Sequence, residues 1–210
     1  MKANLILVLL MVFTNASFGQ IKPDQSKEYN NLEEALKNPE MIYRLDLSNQ
    51  IVKLDTIDWT KFTNLTYLNL KNDHLKEIPI GITTLKSLKT IDLSGNDLNV
   101  LPSAFSNLTT LEEVFLNDEK KMNLPKTLNI LAKLPNLKSL HLENDHLKSF
   151  PSELLRFKNL EKLYLGNNEL KEIPVIKTLD HLKYLDLKDN QIKTDLQDMK
   201  NINFGLKINF

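Results

Sequence analysis

Histidines and paired acidic residues are the side chains of this chain that could support acid–base catalysis or metal binding. His141 and His146 lie five residues apart without a clear third ligand. His74 and His146 occupy twin Asn-Asp-His-Leu-Lys strings, so repetition accounts for that pair. Neither an H-E-x-x-H pattern nor a nucleophile elbow occurs. Asp186 and Asp189 lie close in sequence, but such acids belong to a solvated rim more often than to an acid–base pair. The sequence therefore predicts no catalytic residue, no metal site and no enzyme.

Composition excludes several other kinds of site. The 210 residues contain no cysteine, which rules out disulfides, iron–sulfur clusters, Cys-ligated zinc and thiol catalysis. There are five glycines, and neither the dinucleotide fingerprint G-x-G-x-x-G nor the P-loop motif occurs, so we expect no cofactor. Lys+Arg and Asp+Glu number 27 each, which gives a formal net charge of zero. Because phosphate binding needs a net basic face, we expect no nucleic-acid partner.

Aromatic side chains recur at one spacing and are the better candidates for a binding site. Phe115, His141 and Tyr164 are separated by 26 and 23 residues, and Tyr67 and Tyr184 stand one place over in the same pattern. If these positions are equivalent, the three rings form a strip ~10 Å long with acidic residues beside it. Contiguous exposed aromatics are common anchors of interfaces. The alternative is that the rings only pack on one another as cross-strand neighbours.

A repeat of about 23 residues supplies that equivalence. Four segments fit L-x-x-Φ-x-L-x-x-[N/D]-x-L-x-x-Φ-P, where Φ is apolar: Leu65–Pro79, Leu88–Pro102, Leu137–Pro151 and Leu160–Pro174. Looser copies begin at Ile42, Leu111 and Leu182. Within Φ-x-L the apolar residues share one face of a strand, and no single turn of chain can bury that face alone. The pattern predicts stacked parallel strands near residues 44–47, 67–70, 90–93, 113–116, 139–142, 162–165 and 184–187.

A polar residue follows each predicted strand and should turn the chain inside the stack. It reads Asp73, Asn96, Asp145, Asn168 and Asn190 in successive copies, and Glu119 replaces it in the fourth repeat. We expect its side chain to bond backbone groups of adjacent turns, because buried backbone groups need partners. Aspartate accepts but cannot donate, so Asp73 and Asp145 should satisfy fewer groups than asparagine does.

The motif, held in phase over seven copies, resembles the leucine-rich repeat family across about residues 42–192. The 23-residue period is similar to the class found in many bacterial members, and the opening segment 31–47 resembles that of exported bacterial members. The resemblance implies an α/β solenoid, a right-handed horseshoe with a parallel concave sheet of about seven to eight strands and short 3₁₀ or α segments on the convex side. It also implies that partners bind on the concave face.

The exposed ends of such a stack must be capped. Residues 31–34 fit a capping box, and Leu32, Ala35 and Leu36 would turn one apolar face onto the first coil. At the other end, residues 204–210 alternate as a final strand or partial repeat.

The fourth repeat carries three extra residues, which predict a longer convex helix over residues 127–134. Two interpretations stay open for it, a tolerated loop variation and a local feature that a partner recognises. The predicted organisation is a signal peptide (1–19), a linker with a capping helix (20–41), about seven repeats (42–194), and a C-terminal cap or partial repeat (195–210).

The first twenty residues predict export. Lys2 gives a positive start, residues 5–13 form an unbroken apolar run of nine, and Ser17 and Gly19 are small residues suited to a cleavage site. Nine apolar residues are too few to span a membrane, which takes about twenty in a helix. A short buried N-terminal helix is the alternative. The interpretation is an exported bacterial protein, in the periplasm, at the surface or secreted, with no stable membrane insertion after signal removal.

Two functional hypotheses from different classes follow. The first is an exported, non-enzymatic leucine-rich repeat protein that binds a protein, peptide or glycan through Tyr67, Phe115, His141, Tyr164 and Tyr184 on the concave face. The second is a structural or envelope scaffold, or a fragment of a larger surface protein, with no specific ligand. Removing the aromatic residues distinguishes them, because a scaffold loses no binding.

Overall fold

The structure is a computed structural model that describes residues 24–172, 179–193 and 205–210. Nine short strands in these ranges form one open parallel sheet, and each strand pairs with the next in the chain. They are β1 Glu28–Tyr29, β2 Arg44–Asp46, β3 Tyr67–Asn69, β4 Thr90–Asp92, β5 Glu113–Phe115, β6 Ser139–His141, β7 Lys162–Tyr164, β8 Tyr184–Asp186 and β9 Lys207–Asn209. Sequential order with parallel pairing throughout makes the chain a solenoid, as predicted.

The seven predicted strands are confirmed as β2 to β8, and each ends one residue earlier than expected. β9 lies inside the alternating segment 204–210, of which residues 205–210 are described. β1 raises the count beyond the predicted seven to eight. Its two residues carry no repeat pattern, and it is defined by its backbone pairing with β2.

The core is a column of equivalent residues in strict register. The central residue of each strand pairs with the central residue of the next, and from β2 to β8 all of them are fully buried. They are Leu45, Leu68, Ile91, Val114, Leu140, Leu163 and Leu185. The residues on either side of each central residue point to the opposite surface, which we call the strand face.

Short helical turns cover the side of the core away from the strands. The 3₁₀ turns at Ile80–Thr84, Ser103–Asn107 and Ser152–Arg156 place Ile82, Phe105 and Leu154 in the core, each with no exposed surface. This confirms the short 3₁₀ segments expected on that side. Shorter 3₁₀ turns lie at Pro39–Met41, Leu54–Thr56 and Trp59–Lys61.

The helix of the fourth repeat begins earlier than predicted. Helix α2 spans Leu124–Leu131, whereas the sequence predicted residues 127–134. The Asn123 side chain accepts a hydrogen bond from the Lys126 N–H at 3.1 Å, and proline in the first turn suits a helix start. The Leu124-Pro125 pair, which matches the Φ-P that closes other repeats, opens this helix.

The N-terminal cap forms with one difference. Helix α1 spans Leu32–Ala35, and the Asn31 side chain accepts from the Glu34 N–H at 3.0 Å, as a capping box requires. Ala35 is fully buried and Leu32 packs against the core, but Leu36 is 44% exposed and does not join the predicted apolar face. The helix is only four residues long, so Leu36 already lies past its last turn.

The predicted signal peptide lies outside the described residues, as do parts of the segment predicted to be a C-terminal cap. In the ranges that the structure covers, no helix combines the length and the apolar character needed to cross a membrane.

Candidate functional site

Three rings occupy one position on three adjacent strands. Phe115, His141 and Tyr164 are the last residues of β5, β6 and β7, and the register pairs them directly. The Phe115 and His141 ring centroids are 3.9 Å apart at an interplanar angle of 19°, and those of His141 and Tyr164 are 4.0 Å apart at 7°. We call these three residues the aromatic strip. Strands lie ~4.8 Å apart, so the side chains lean together into a closely packed stack.

The two remaining predicted site residues behave differently. Tyr184 extends the strip, since its ring lies 5.3 Å from that of Tyr164 at an angle of 51°. Tyr67 lies two strands from β5 and does not join the strip. The Arg44 guanidinium sits 3.9 Å above its ring and pairs with Glu28 at 2.8 Å. The structure thus brings four of the five residues together and places Tyr67 in a separate cation–π pair.

His141 is the most buried member of the strip, with 8% of its surface exposed. Its Nε2 lies 3.2 Å from a Glu113 carboxylate oxygen, and its Nδ1 lies 3.2 Å from one of Glu143. Burial by itself lowers the pKa of His141, but the hydrogen bonds and charges of the two glutamates outweigh it and raise the pKa above 6.5. Only an imidazolium can donate to both carboxylates, because a neutral ring has one N–H.

The aromatic residues replace side chains that stabilise the turn in other coils. The same strand position holds Asp46, Asn69, Asp92 and Asp186, and each accepts a hydrogen bond from the backbone N–H two residues later, at 2.8 to 3.0 Å. A phenyl or phenol ring cannot accept that bond. The N–H groups of Asn117 and Glu143 instead donate to side chains of the preceding coil, Ser94 Oγ and Asn117 Oδ1. Two of the three aromatic coils thus close their turns with a neighbour's side chain.

Stacking determines which part of each ring faces solvent. Both faces of His141 are covered, and Phe115 and Tyr164 each lose one face to it. Phe115, Tyr164 and Tyr184 remain partly exposed. The strip therefore presents mainly ring edges and tyrosine hydroxyls, with Glu113 and Glu143 alongside. Such a surface offers apolar contact and hydrogen bonding, but few free ring faces.

A row of charged side chains borders the aromatic strip on the strand face. Lys89 lies 3.5 Å and Lys138 3.1 Å from the Glu112 carboxylate, and Lys183 lies 2.8 Å from that of Glu161. These residues occupy one repeat position, where lysine and glutamate alternate from coil to coil. Each pair is partly solvated and so contributes little to stability.

The remaining candidates for chemistry stay separate. His74 lies 3.9 Å from Asp97, and His146 lies 3.1 Å from Glu169, each in a largely exposed pair. Over residues 24–172, 179–193 and 205–210, no group of three or more histidines and acids converges as a metal site would.

The sequence predicted the strip and the acidic residues beside it, but not the burial of His141 or its direct contacts with two glutamates. The signal was present, since Glu113 and Glu143 each stand two residues from a strip position on the same face. Equivalence between repeats predicted which residues are neighbours, but it did not predict the burial of the middle ring.

Comparison with protein families identifies the class of protein. A family model described as a leucine-rich repeat region matches residues 28–173, and a second model, described as two copies of leucine-rich repeats, matches residues 158–201. The chain belongs to the leucine-rich repeat family, whose members are generally non-enzymatic binding scaffolds. A search of curated protein sequences gave no match.

Solved structures with a similar fold come from bacteria and from humans. A leucine-rich repeat protein of Leptospira interrogans is 26% identical with a TM-score of 0.60, covering 87% of this chain and 57% of that one. Internalin C2 of Listeria monocytogenes is 24% identical with a TM-score of 0.61, covering 81% and 73%. Human 5T4, the trophoblast glycoprotein, is 26% identical with a TM-score of 0.70, covering 81% and 68%. The chain therefore spans little more than half of the Leptospira protein.

Proposed function

We propose that this protein is an exported, non-enzymatic leucine-rich repeat protein that binds a polypeptide partner on the strand face, centred on the aromatic strip. The observation that carries the proposal is the replacement of a turn-stabilising Asp or Asn by a ring in three successive coils. These rings lie on the outer surface, and Phe115 and Tyr164 remain partly exposed.

The geometry favours a protein or peptide over a glycan. Sugars bind aromatic residues through the flat face of the ring, and here the faces along the strip are largely taken by neighbouring rings. Ring edges and tyrosine hydroxyls suit aliphatic side chains and backbone groups, while Glu113 and Glu143 suit a basic side chain at the border. Tyr184 extends this surface, and Tyr67 marks a separate patch that a long partner would reach across β4.

The scaffold hypothesis remains the second candidate, and one observation favours it. The chain spans 57% of the Leptospira protein, so its repeats resemble part of a longer molecule. Under that hypothesis the rings stabilise the sheet and bind nothing.

A matched pair of variants distinguishes the two functions. The purified protein is used to capture partners from bacterial envelope extract, and the affinity of each recovered partner is measured with wild type, Phe115→Ala/Tyr164→Ala and Tyr43→Ala. Tyr43 is a partly exposed aromatic on the same face, far from the strip. Binding at the strip predicts a loss of at least ~2 kcal/mol, about thirtyfold, for the double variant, and no loss for Tyr43→Ala. Equal affinity for all three folded proteins would support the scaffold, and capture of a glycan that the double variant loses would contradict the preference for polypeptide.

A further inference from the structure

One buried position recurs at the end of every full coil and links it to the previous coil. Its occupants in order are Asp73, Asn96, Glu119, Asp145, Asn168 and Asn190. In each, one side-chain oxygen accepts a backbone N–H from the coil before, at 2.7 to 3.1 Å. We call this column of side chains the ladder. It therefore runs through the same coils that carry the aromatic strip.

The asparagines in the ladder show which further backbone groups a side chain at this position must contact. Asn96 Nδ2 donates to the carbonyl oxygens of Leu70 and Leu93 at 2.8 and 2.7 Å. Asn168 Nδ2 does the same with Leu142 and Leu165, at 2.8 and 2.9 Å. The site thus provides two backbone donors for the asparagine oxygen, and two backbone acceptors for its Nδ2. An amide side chain satisfies both needs.

The three acids in the ladder accept a backbone N–H as the asparagines do. In their ionised form they have no hydrogen to donate to the backbone carbonyls. The second oxygen of Asp73, Glu119 and Asp145 is sealed from solvent, and no donor among the described residues reaches it. By equivalence with Asn96 and Asn168, we expect this oxygen to face carbonyl oxygens, which for Asp145 are those of Leu116 and Leu142. Two acceptors facing each other repel, whereas a carboxylic acid O–H would donate across the gap. The expectation that Asp73 and Asp145 satisfy fewer groups than asparagine is confirmed for the ionised form.

We infer that Asp73, Glu119 and Asp145 are held as neutral carboxylic acids that replace asparagine in the ladder, and that losing these protons loosens the coils beneath the aromatic strip. Glu119 and Asp145 lie four residues after Phe115 and His141, in the coils that position those rings. The device is therefore a pH-sensitive link between coils, and it holds whether or not the strip binds a partner.

The charges around Glu119 and Asp145 act in the direction that the geometry requires. Burial raises the pKa of Glu119 to about 8, and the charges of Asp145 and Asp97 add to it, against the hydrogen bond from the Asn96 N–H. Burial raises the pKa of Asp145 to about 7, helped by Asp118 and Glu143 and opposed by the N–H of Glu119. The charged groups facing both carboxyls are thus acids, which disfavour a further negative charge.

Asp73 has the lowest pKa of the three carboxyls. Burial raises its pKa to about 6, with Asp46 adding to the rise and the Gln50 N–H and His74 opposing it. Its proton is therefore the first to leave as the pH rises.

The raised pKa values of the three carboxyls determine how the folding stability changes with pH. In the unfolded chain the three carboxyls ionise near 4, whereas in the fold they keep their protons to higher pH. The folded state binds more protons than the unfolded state over this pH interval, so rising pH lowers the stability. For each group, the folding equilibrium constant falls by up to tenfold per pH unit. Below about pH 4 both states are protonated and the effect vanishes.

Carboxyl NMR of the full chain tests the protonation directly. With ¹³C-labelled aspartate and glutamate, the three ladder carboxyls should titrate above pH 5.5 while surface carboxyls titrate below 5. Assignment comes from the single changes Asp73→Asn, Glu119→Gln and Asp145→Asn. Titration of all three ladder carboxyls below pH 5 would overturn the inference, and this measurement does not depend on whether a combined variant folds.

Unfolding by urea between pH 5 and 8 tests the consequence. The variant Asp73→Asn/Glu119→Gln/Asp145→Asn should match wild type near pH 4.5, be more stable at pH 8, and show a shallower loss of stability in between. The charge-matched control is Asp58→Asn/Glu112→Gln/Glu161→Gln, whose carboxyls pair with lysines and have lowered pKa values. The control should keep the wild-type slope over this range. A ladder variant with the wild-type slope would sink the proposal.

Discussion

At the residue scale, the protonation of His141 depends both on its burial between two rings and on the charges beside it. A buried ring between two other rings would ordinarily be neutral, since burial disfavours the imidazolium. Glu113 and Glu143 reverse this, because one carboxylate lies at each ring nitrogen at 3.2 Å. The charged ring also gains from the faces of Phe115 and Tyr164, through cation–π attraction. When His141 is protonated, the strip is therefore a stack with a cation at its centre.

We predict that the imidazole of His141 titrates with a midpoint above 6.5 when followed by NMR. Its contribution to stability is fully present below pH 6.5 and is lost as the pH rises through the folded-state midpoint. In Glu113→Gln/Glu143→Gln the midpoint should fall below that of wild type, because burial then acts with much weaker opposition. His181, an exposed histidine on another coil, serves as the reference within the same spectra. A wild-type midpoint below 6.5 would contradict the assignment.

At the element scale, each strand is stabilised chiefly by its two neighbours. Every strand from β2 to β8 is only three residues long and contributes one fully buried central side chain. No strand of that length is stable alone, so the energy resides in the contacts between coils. The consequence is that damage to one coil should spread first to the adjacent coils.

Leu140→Ala tests this locality. Leu140 is fully buried at the centre of β6, so its truncation should destabilise the protein by ~2–5 kcal/mol. Hydrogen exchange should speed up first in β5, β6 and β7, and least in β2. Ser139→Ala, a change of a small side chain on the same strand, is the control and should leave the exchange pattern unchanged. Equal acceleration in β2 and β6 would show that the array unfolds as one unit.

Sequence periodicity predicted the elements well where it reflects burial. The Φ-x-L pattern placed seven strands to within a residue because the alternation in sequence is the alternation of the pleat. It failed at β1, whose two residues carry no repeat pattern, and at the start of α2, where the Asn123 cap decided the boundary. For the candidate site, the register predicted that three rings would be neighbours. It could not predict their stacking or the imidazolium, because those depend on how side chains lean between coils.

At the scale of the whole molecule, the formal net charge is zero, but positive and negative side chains are unevenly distributed around the strip. Lysines and glutamates alternate along one border of the strip, while acids accompany the rings themselves. A partner with basic groups would therefore be attracted locally and not by the molecule as a whole. Added salt should weaken its binding only moderately, since short-range contacts are screened less than a long-range field.

Export is the whole-molecule property that the proposed function requires. The apolar run at residues 5–13 would act as the core of a signal peptide, and a charge placed inside it should block recognition. In a bacterial host, we expect wild type in the exported fraction, with a mature N-terminus at Gln20 by mass spectrometry. Leu7→Arg/Leu9→Arg should keep the protein in the cytoplasm with residues 1–19 attached. Asn15→Gln, which lies beyond the apolar run, should be exported like wild type. An uncleaved wild-type chain in the cytoplasm would favour the alternative of a short buried helix, and the search for a partner would then move from the cell envelope to the cell interior.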